Sequence, residues 1–182
     1  MLSVRRKLLA KKVSLHDLFR ARITHSVKDA FAAAVAGQGA NDEIRAVLDE
    51  VCRITGMGFA AVARVTENRW IAAQVLDRVE FGLVPGAELD LKTTICDEIR
   101  KSGREVVIDH VAGHEHWRTH HTPALYGFES YVSIPIVLHD GTFYGTLCAI
   151  DPQPRPLSSP ATIAAMRRLA RIVADILSTE TV

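Results

Sequence analysis

Apolar residues recur every four positions through residues 15–35, near the start of the chain. This spacing places the apolar side chains along one face of a helix. The pattern therefore predicts one long amphipathic helix that ends near Gly37 and Gly39. A second helix is predicted from Asn41, a favourable N-cap residue, to Gly56, a favourable residue just after a helix C-terminus.

The period of the pattern changes to two after the second helix, which is typical of β-strands. Asp140-Gly141 is the strongest hairpin signal in the chain. Pro135 lies inside one of the strands and cannot donate a backbone hydrogen bond, so we expect a bulge or a sheet edge there. Strands are predicted at five places: 59–65, 70–76, 105–109, 129–138 and 142–150.

Three further segments complete the prediction. Thr94 and Asp97 match a capping box before a short helix, and residues 110–128 are interpreted as a loop. Ser159 caps a final helix. The order of elements is helix, helix, hairpin, helix, strand, loop, hairpin and helix. This order favours an α+β fold on an antiparallel sheet over a parallel βαβ array.

Length and composition agree with one globular domain that has a helical extension. The chain has 182 residues, of which 48% are hydrophobic and 24% charged. We divide it into a helical extension, 1–39, and a domain, 40–178. No uncharged stretch reaches the roughly 20 apolar residues of a membrane span. The three cysteines, Cys52, Cys96 and Cys148, form no C-x-x-C pair, which fits a reducing cytoplasm.

The net charge of +1 hides two oppositely charged parts. Residues 1–28 contain eight basic residues and one acidic residue, a net charge of +7, whereas residues 29–182 have a net charge of −6. Such a basic segment is suited to nucleic acid, an anionic membrane surface or a protein partner. The interpretation that we favour is a solvated helix start or an arm that packs on the acidic remainder of the chain.

Two runs late in the chain resemble a known family. Residues 130–136 (SYVSIPI) and 140–151 (DGTFYGTLCAID) are similar to GAF domains that precede histidine kinases and diguanylate cyclases, including phytochrome-related ones. Residues 93–97 and 106–109 resemble the same group, and the likeness covers about residues 40–178. It implies a central antiparallel sheet of about six strands. The N- and C-terminal helices would lie on one face and pocket loops on the other, and Pro135 would be a normal feature of its strand.

Five of the eight histidines fall within residues 110–121, beside two aromatic residues, Trp117 and Tyr126. Imidazoles titrate near neutral pH and bind metals, so a metal or pH sensor is one interpretation. The others are a polar loop over a pocket and a pocket wall that contacts an organic ligand. We select nine candidate ligand-binding residues: Cys96, Asp109, His110, Trp117, His120, His121, Tyr126, Tyr131 and Ser133. No catalytic or metal-binding residue is selected, and the cofactor is left unknown.

The resemblance also indicates which activities to expect. Phytochrome-like GAF domains attach a bilin to a cysteine in the pocket loop or its helix; residues 110–128 contain no cysteine, which argues against such a chromophore and leaves non-covalent binding open. GAF-type free methionine sulfoxide reductases use a loop cysteine as nucleophile and a resolving cysteine on the short helix; Cys96 lies roughly at the second place, but the first has no cysteine. Cyclic nucleotides are disfavoured because Arg118 is the nearest basic residue in that loop. Cys96, at the start of a short helix, is interpreted as a core residue or a pocket thiol of lowered pKa. Cys148 is interpreted as a buried structural cysteine.

These observations predict a cytoplasmic, non-catalytic sensory module in signal transduction. It binds a small molecule of unknown identity, forms a homodimer through its terminal helices and acts on a signalling protein partner. The alternative is an adaptor that works through the basic N-terminal segment and carries an empty GAF scaffold.

Overall fold

A six-stranded antiparallel sheet forms the centre of the structure, a computed structural model that describes residues 28–179. The strands lie in the order β3-β2-β1-β6-β5-β4. They are β1 (Phe59–Val65), β2 (Trp70–Asp77), β3 (Glu88–Leu89), β4 (Val106–Ile108), β5 (Ser130–Val137) and β6 (Phe143–Asp151). The helices are α1 (Ala30–Gly39), α2 (Asp42–Thr55), α3 (Ile95–Ser102), α4 (Glu115–Thr119), α5 (His121–Tyr126) and α6 (Pro160–Thr179). The predicted fold class is confirmed.

Each face of the sheet is covered by its own apolar cluster. Helices α1, α2 and α6 pack on one face, and α3 with the residues around α4 and α5 covers the other. Alternate residues of β1 point to opposite faces of the sheet: Ala60 and Val62 face the terminal helices, whereas Phe59 and Ala61 face α3. Because both faces are buried, the central strands are almost continuously apolar.

Helix α1 begins at Ala30, so the prediction of one unbroken helix from 15 to 35 is wrong. Asp29 has extended backbone and acts as the N-cap, and its carboxylate accepts a hydrogen bond from the Ala32 amide at 2.9 Å. The Arg69 guanidinium holds the same carboxylate at 3.0 Å. Asp29, whose carboxylate is held by Arg69, therefore acts as the capping residue from which helix α1 starts. The predicted helical residues before Lys28 lie outside the described part of the chain.

The predicted start and end of α2 and the predicted start of α6 are confirmed. The Asn41 side chain accepts hydrogen bonds from the amides of Glu43 and Ile44 at the start of α2. Gly56 ends α2 in the left-handed conformation, with φ of 69°. Ser159 accepts a hydrogen bond from the Thr162 amide at the start of α6. None of the helices within residues 28–179 has the length and apolar character of a membrane span.

The prediction of a capping box at the start of α3 is wrong, because its side-chain hydrogen bonds do not form. The Thr94 hydroxyl donates back to the Leu91 carbonyl at 2.8 Å and makes no cap bond to α3. Asp97 is ion-paired along its own helix with Arg100 and Lys101. The preceding 3₁₀ turn, Leu91–Thr93, offers the threonine hydroxyl a nearer acceptor.

The loop predicted at 110–128 contains two short helices, α4 and α5. The ring nitrogen Nδ1 of His120 accepts a hydrogen bond from the Thr122 amide at 3.2 Å and so caps α5. Gly127 ends α5 with φ of 70°. Histidine is a weak helix-start signal in a sequence, which is why the pattern gave no indication of α5.

Pro135 lies at a local edge of the sheet, as expected. It pairs with Thr146 on β6, but the pairing between β5 and β4 ends at Ser133 and Val106. The missing N–H of Pro135 therefore leaves no gap in the ladder on the β4 side.

Candidate functional site

A small cavity lies between the sheet and the segments that cover its α3 side. We call the covering segments, the 3₁₀ turn Leu91–Thr93 with α3, α4 and α5, the roof. The cavity volume is about 40 Å³, enough for roughly three water molecules. It is lined by Phe59, Trp70, Phe81, Leu83, Leu89, Thr94, Ile95, Cys96, Thr122, Tyr126, Phe128, Tyr131, Cys148 and Ile150.

Aromatic rings form much of the cavity wall. The ring centroids of Phe59 and Phe81 are 4.8 Å apart, and those of Phe81 and Tyr126 are 6.1 Å apart. Phe128 stacks on Tyr131 with a centroid distance of 5.4 Å. Such a wall favours an apolar or aromatic group over a free anion.

The floor of the cavity carries a buried polar cluster. The Thr146 hydroxyl donates to the Cys96 sulfur at 3.3 Å, and the Tyr131 hydroxyl lies 3.5 Å from the same sulfur. Cys148 lies two residues after Thr146 on β6, lines the same cavity as Cys96 and donates its thiol proton to the Ala61 carbonyl at 3.6 Å. The buried indole nitrogen of Trp70, which also lines the cavity, has no hydrogen-bond partner within the described residues.

These contacts set the ionisation of the cluster. The neighbouring Cys148 thiol lowers the pKa of the Cys96 thiol, burial opposes this, and Thr146, Tyr131 and Trp70 add to the lowering, so that the pKa is about 6. The pKa of Cys148 is raised well above its usual value by its interaction with Cys96 and by burial. Burial and the Cys96 charge likewise raise the pKa of Tyr131. The cluster therefore holds one thiolate, on Cys96, among neutral donors.

Polar contacts tie the parts of the roof to one another. The Thr93 and Tyr126 hydroxyls share a short hydrogen bond, and the Thr122 hydroxyl donates to the Thr93 carbonyl at 2.8 Å. Nε2 of His120 lies 2.9 Å from a Glu98 carboxylate oxygen. These bonds join α5 and the residue before it to the 3₁₀ turn and to α3, so the roof is one connected unit.

The structure brings together four of the nine candidate ligand-binding residues at the cavity. Cys96, Tyr126 and Tyr131 line it directly. Ser133 is fully buried and pairs with Cys148 across β5 and β6, beside the cluster. Their role as ligand-binding residues remains a prediction.

Three more candidates belong to the roof without lining the cavity. Trp117 packs against the apolar cluster on this face of the sheet. The rings of His120 and His121 stack at 4.5 Å, and Nε2 of His121 faces the Lys92 carbonyl at 3.3 Å. We therefore propose a positioning role for these three residues.

Asp109 and His110 lie outside the cavity. The Asp109 carboxylate accepts hydrogen bonds from the amides of Leu157 and Ser158, both at 2.9 Å, and thereby fixes the segment before α6. His110 is half-exposed beside Glu129, at 3.6 Å. Within residues 28–179 no group of three or more His, Cys, Asp or Glu side chains could hold a metal ion.

Sequence reasoning missed several cavity residues. Phe81 and Leu83 follow β2 in a loop, and nothing in the local pattern distinguishes them from ordinary core residues. Trp70 begins β2, and Thr146, which does not line the cavity but donates to Cys96, is one polar residue in an apolar strand. A polar residue inside a buried strand is a usable signal, since such groups need a hydrogen-bond partner.

Comparison with solved structures identifies GAF domains of the same fold. The GAF domain of an Acinetobacter phosphoenolpyruvate-protein phosphotransferase superposes with a TM-score of 0.61 at 12% identity, covering 82% of this chain and 92% of that one. A type II free methionine-R-sulfoxide reductase from Thermoplasma acidophilum gives 0.61 at 10% identity, covering 80% and 96%. The PixJ GAF domain of Thermosynechococcus elongatus, in its blue-light-absorbing form, gives 0.59 at 10% identity, covering 86% and 92%.

At these identities the likeness establishes the fold alone. No curated protein matches the chain in sequence. The model of one family, the GAF domain, matches residues 40–177, which is most of the chain. The chain therefore belongs to the GAF-domain family.

Proposed function

We propose that this GAF domain is a sensory module that binds a small molecule in the cavity between the roof and the sheet. The observation that supports this most strongly is an aromatic-walled cavity between the roof and the sheet, with a buried polar cluster beside it. Binding sites for small molecules combine apolar walls with a few placed polar groups in this way.

The cavity suggests the chemistry of its ligand. The aromatic walls favour a compact apolar or aromatic body, and Cys96 and Tyr131, which line the cavity, favour one polar group that points at them. The present volume of about 40 Å³ is well below that of typical ligand sites, about 300–1,000 Å³. The roof must therefore lift as a unit to admit anything larger than a few atoms.

The central strands offer a direct route from the cavity to the terminal helices. On β6, Cys148 and Ile150 belong to the cavity side, whereas Leu147 and Ala149 pack in the cluster with α2 and α6. A displacement of β6 by a ligand would therefore shift the packing of the terminal helices. We propose that these helices pass the signal to a signalling protein, such as a histidine kinase, in the cytoplasm.

We further propose that the module is not an enzyme. The reductase of the same fold is the enzymatic alternative, and the loop cysteine expected for that chemistry is missing from residues 110–128. Purified chain should therefore show no turnover of free methionine sulfoxide with a dithiol reductant. Steady turnover that is lost in Cys96→Ala would contradict this proposal.

Native mass spectrometry of the full chain, purified from the cells that make it, tests ligand binding. Leu89→Phe fills the cavity from β3, and Leu138→Phe is the matched control because it is another partly buried leucine on the opposite face. We expect a bound small molecule on the wild-type chain and on Leu138→Phe, and its loss from Leu89→Phe. A wild-type chain without a bound molecule, or one whose molecule persists in Leu89→Phe, would contradict the proposal.

A further inference from the structure

Two cysteines from distant parts of the chain meet at the floor of the cavity. Cys96 belongs to α3 in the roof and Cys148 to β6 in the sheet. Both are free thiols that line the same small cavity and belong to the same apolar cluster, and they are only 4% and 5% exposed. The pair therefore faces one cavity from the roof on one side and from the sheet on the other.

The surroundings make one of these thiols a nucleophile. The donors around Cys96 stabilise its thiolate, whereas Cys148 keeps its proton. The thiolate is the reactive form of cysteine, and a neighbouring protonated thiol is well placed to resolve an oxidised sulfur.

The third cysteine shows the contrast. Cys52 lies on the other face of the sheet among the terminal helices. Burial raises the pKa of its thiol to about 11. Cys52 is therefore an inert internal control.

The size of the cavity restricts the oxidant. Both Cys96 and Cys148 line a volume of about 40 Å³, which accepts a molecule no larger than about three waters. Hydrogen peroxide fits this description, whereas a hydroperoxide with an aromatic substituent does not.

We propose that Cys96 and Cys148 form a peroxide-responsive disulfide that locks the roof onto the sheet. The Cys96 thiolate attacks one peroxide oxygen, the O–O bond breaks, and the departing hydroxide takes a proton from solvent to become water. The Cys148 sulfur then attacks the resulting sulfenic acid as its proton leaves. The S–O bond breaks and a second water forms. The two sulfurs together lose the two electrons that the peroxide gains.

The consequence follows from the connections of the roof. Because Glu98 of α3 contacts His120, and Thr122 of α5 donates to Thr93 of the 3₁₀ turn, a bond from Cys96 to β6 restrains the connected roof. The oxidised chain keeps its cavity closed, and a dithiol reductant releases it. This regulatory role rests on the proposed function of the cavity as a ligand site.

The test is direct on the full wild-type chain. The folded protein is treated with a slight excess of hydrogen peroxide, then denatured and alkylated with N-ethylmaleimide for mass spectrometry. We expect one alkylated cysteine, Cys52, and a linked peptide pair containing Cys96 and Cys148. Three alkylated cysteines, or a bond that involves Cys52 or joins two chains, would overturn the proposal.

Two variants and a second oxidant sharpen this result. Cys52→Ala should oxidise at the wild-type rate, and Cys148→Ala should stop at a sulfenic acid that dimedone traps. Cumene hydroperoxide should react at least about tenfold more slowly than hydrogen peroxide, because the closed cavity excludes it. Equal rates for the two oxidants would overturn the cavity route.

Hydrogen exchange separates this inference from the proposed function. Roof peptides of the oxidised chain should exchange at least about tenfold more slowly than those of the reduced chain, because the new cross-link stabilises the closed form. Unchanged exchange would overturn the lock. If the thiols stay reduced while a small molecule still occupies the cavity, only the disulfide proposal fails. If the disulfide forms in a chain whose cavity never holds a small molecule, the ligand-binding function fails.

Discussion

The two buried thiols Cys52 and Cys96 differ in their ionisation because their neighbours differ. Both are almost completely excluded from solvent. Burial dominates at Cys52 and raises its pKa to about 11. At Cys96 the neighbouring polar groups of Cys148, Thr146, Tyr131 and Trp70 outweigh burial, and the pKa is about 6. Polar groups directed at the Cys96 thiolate therefore affect its pKa more than the depth of its burial does.

This difference predicts a pH dependence. The thiolate absorbance of Cys96, taken as the ultraviolet difference between wild type and Cys96→Ala, should rise with a midpoint near pH 6. Thr146→Val removes one donor and should move the midpoint to higher pH. An ordinary midpoint near about 8.5 in the wild type would contradict the assigned cluster.

The same lowered pKa has a defined effect on stability. Because the folded value, about 6, lies below the unfolded value of about 8.5, ionisation of Cys96 stabilises the fold fully above the unfolded value. This contribution is lost as the pH falls through the folded value. Urea unfolding between these pH values should therefore show a smaller pH dependence in Cys96→Ala than in the wild type. Equal slopes would contradict the linkage.

At the scale of elements, α1 is held closely against the sheet. A Cβ atom added at Gly39 would lie 2.0 Å from the Ala73 carbonyl oxygen on β2, whereas one at Gly37 meets nothing within 4 Å. The Gln74 side-chain amide also donates to the Gly39 carbonyl at 2.9 Å. Position 39 therefore requires glycine, because α1 approaches β2 closely there, whereas position 37 does not require it.

Two substitutions in α1 should therefore act in opposite directions. Gly39→Ala forces a backbone clash with Ala73 and should lower the free energy of unfolding. Gly37→Ala should raise it by about 0.5–1 kcal/mol, because alanine loses less backbone entropy in a helix. Urea denaturation measures both. Equal effects of the two variants would show that α1 does not pack on β2 in this way.

The cap of α2 is a second prediction at this scale. Asn41→Ala removes the acceptor for the Glu43 and Ile44 amides and should cost about 1 kcal/mol of unfolding free energy. Asn41→Asp keeps the acceptor oxygen and should retain most of the stability. Thermal unfolding compares the two variants, and an equal loss in both would argue against the cap.

Local signals in the sequence predicted most of the elements but little of the site. The Asn41 cap, Gly56, the hairpin at Asp140-Gly141 and the final helix depend on neighbouring residues, and all are confirmed. The new helix start at Asp29 depends on Arg69, forty positions away in sequence. The helix α5 depends on a histidine cap that propensities do not favour.

The thiol pair shows the same limit more clearly. Cys96 and Cys148 each had a reasonable local interpretation, as a helix-start thiol and as a buried strand residue. Their contact arises only when α3 packs over β6. The family resemblance placed a pocket on this face, but the aromatic wall that includes Phe81 follows from tertiary packing alone.

At the scale of the whole molecule, the terminal helices leave apolar surface exposed. Ile172 on α6 and Phe31 on α1 are large hydrophobic residues with substantial exposure. We propose that a second copy of the chain packs on α6 at Ile172, since an exposed apolar side chain on a terminal helix is stabilised by burial in an interface.

Light scattering on the full chain tests the proposed homodimer. Ile172→Asp should shift the chain toward the monomer, whereas Val84→Asp, which changes an exposed apolar residue in the loop after β2, should leave the dimer unchanged. A wild-type chain that stays strictly monomeric at high concentration would contradict the homodimer.

The central claim is that the cavity senses a small molecule and that the sheet passes its state to α1, α2 and α6. Hydrogen exchange on the full chain, compared between protein as isolated and the same protein unfolded and refolded without its bound molecule, tests this claim most directly. We predict faster exchange after removal in the roof and also in the terminal helices. A change confined to the roof, or no change at all, would contradict the account.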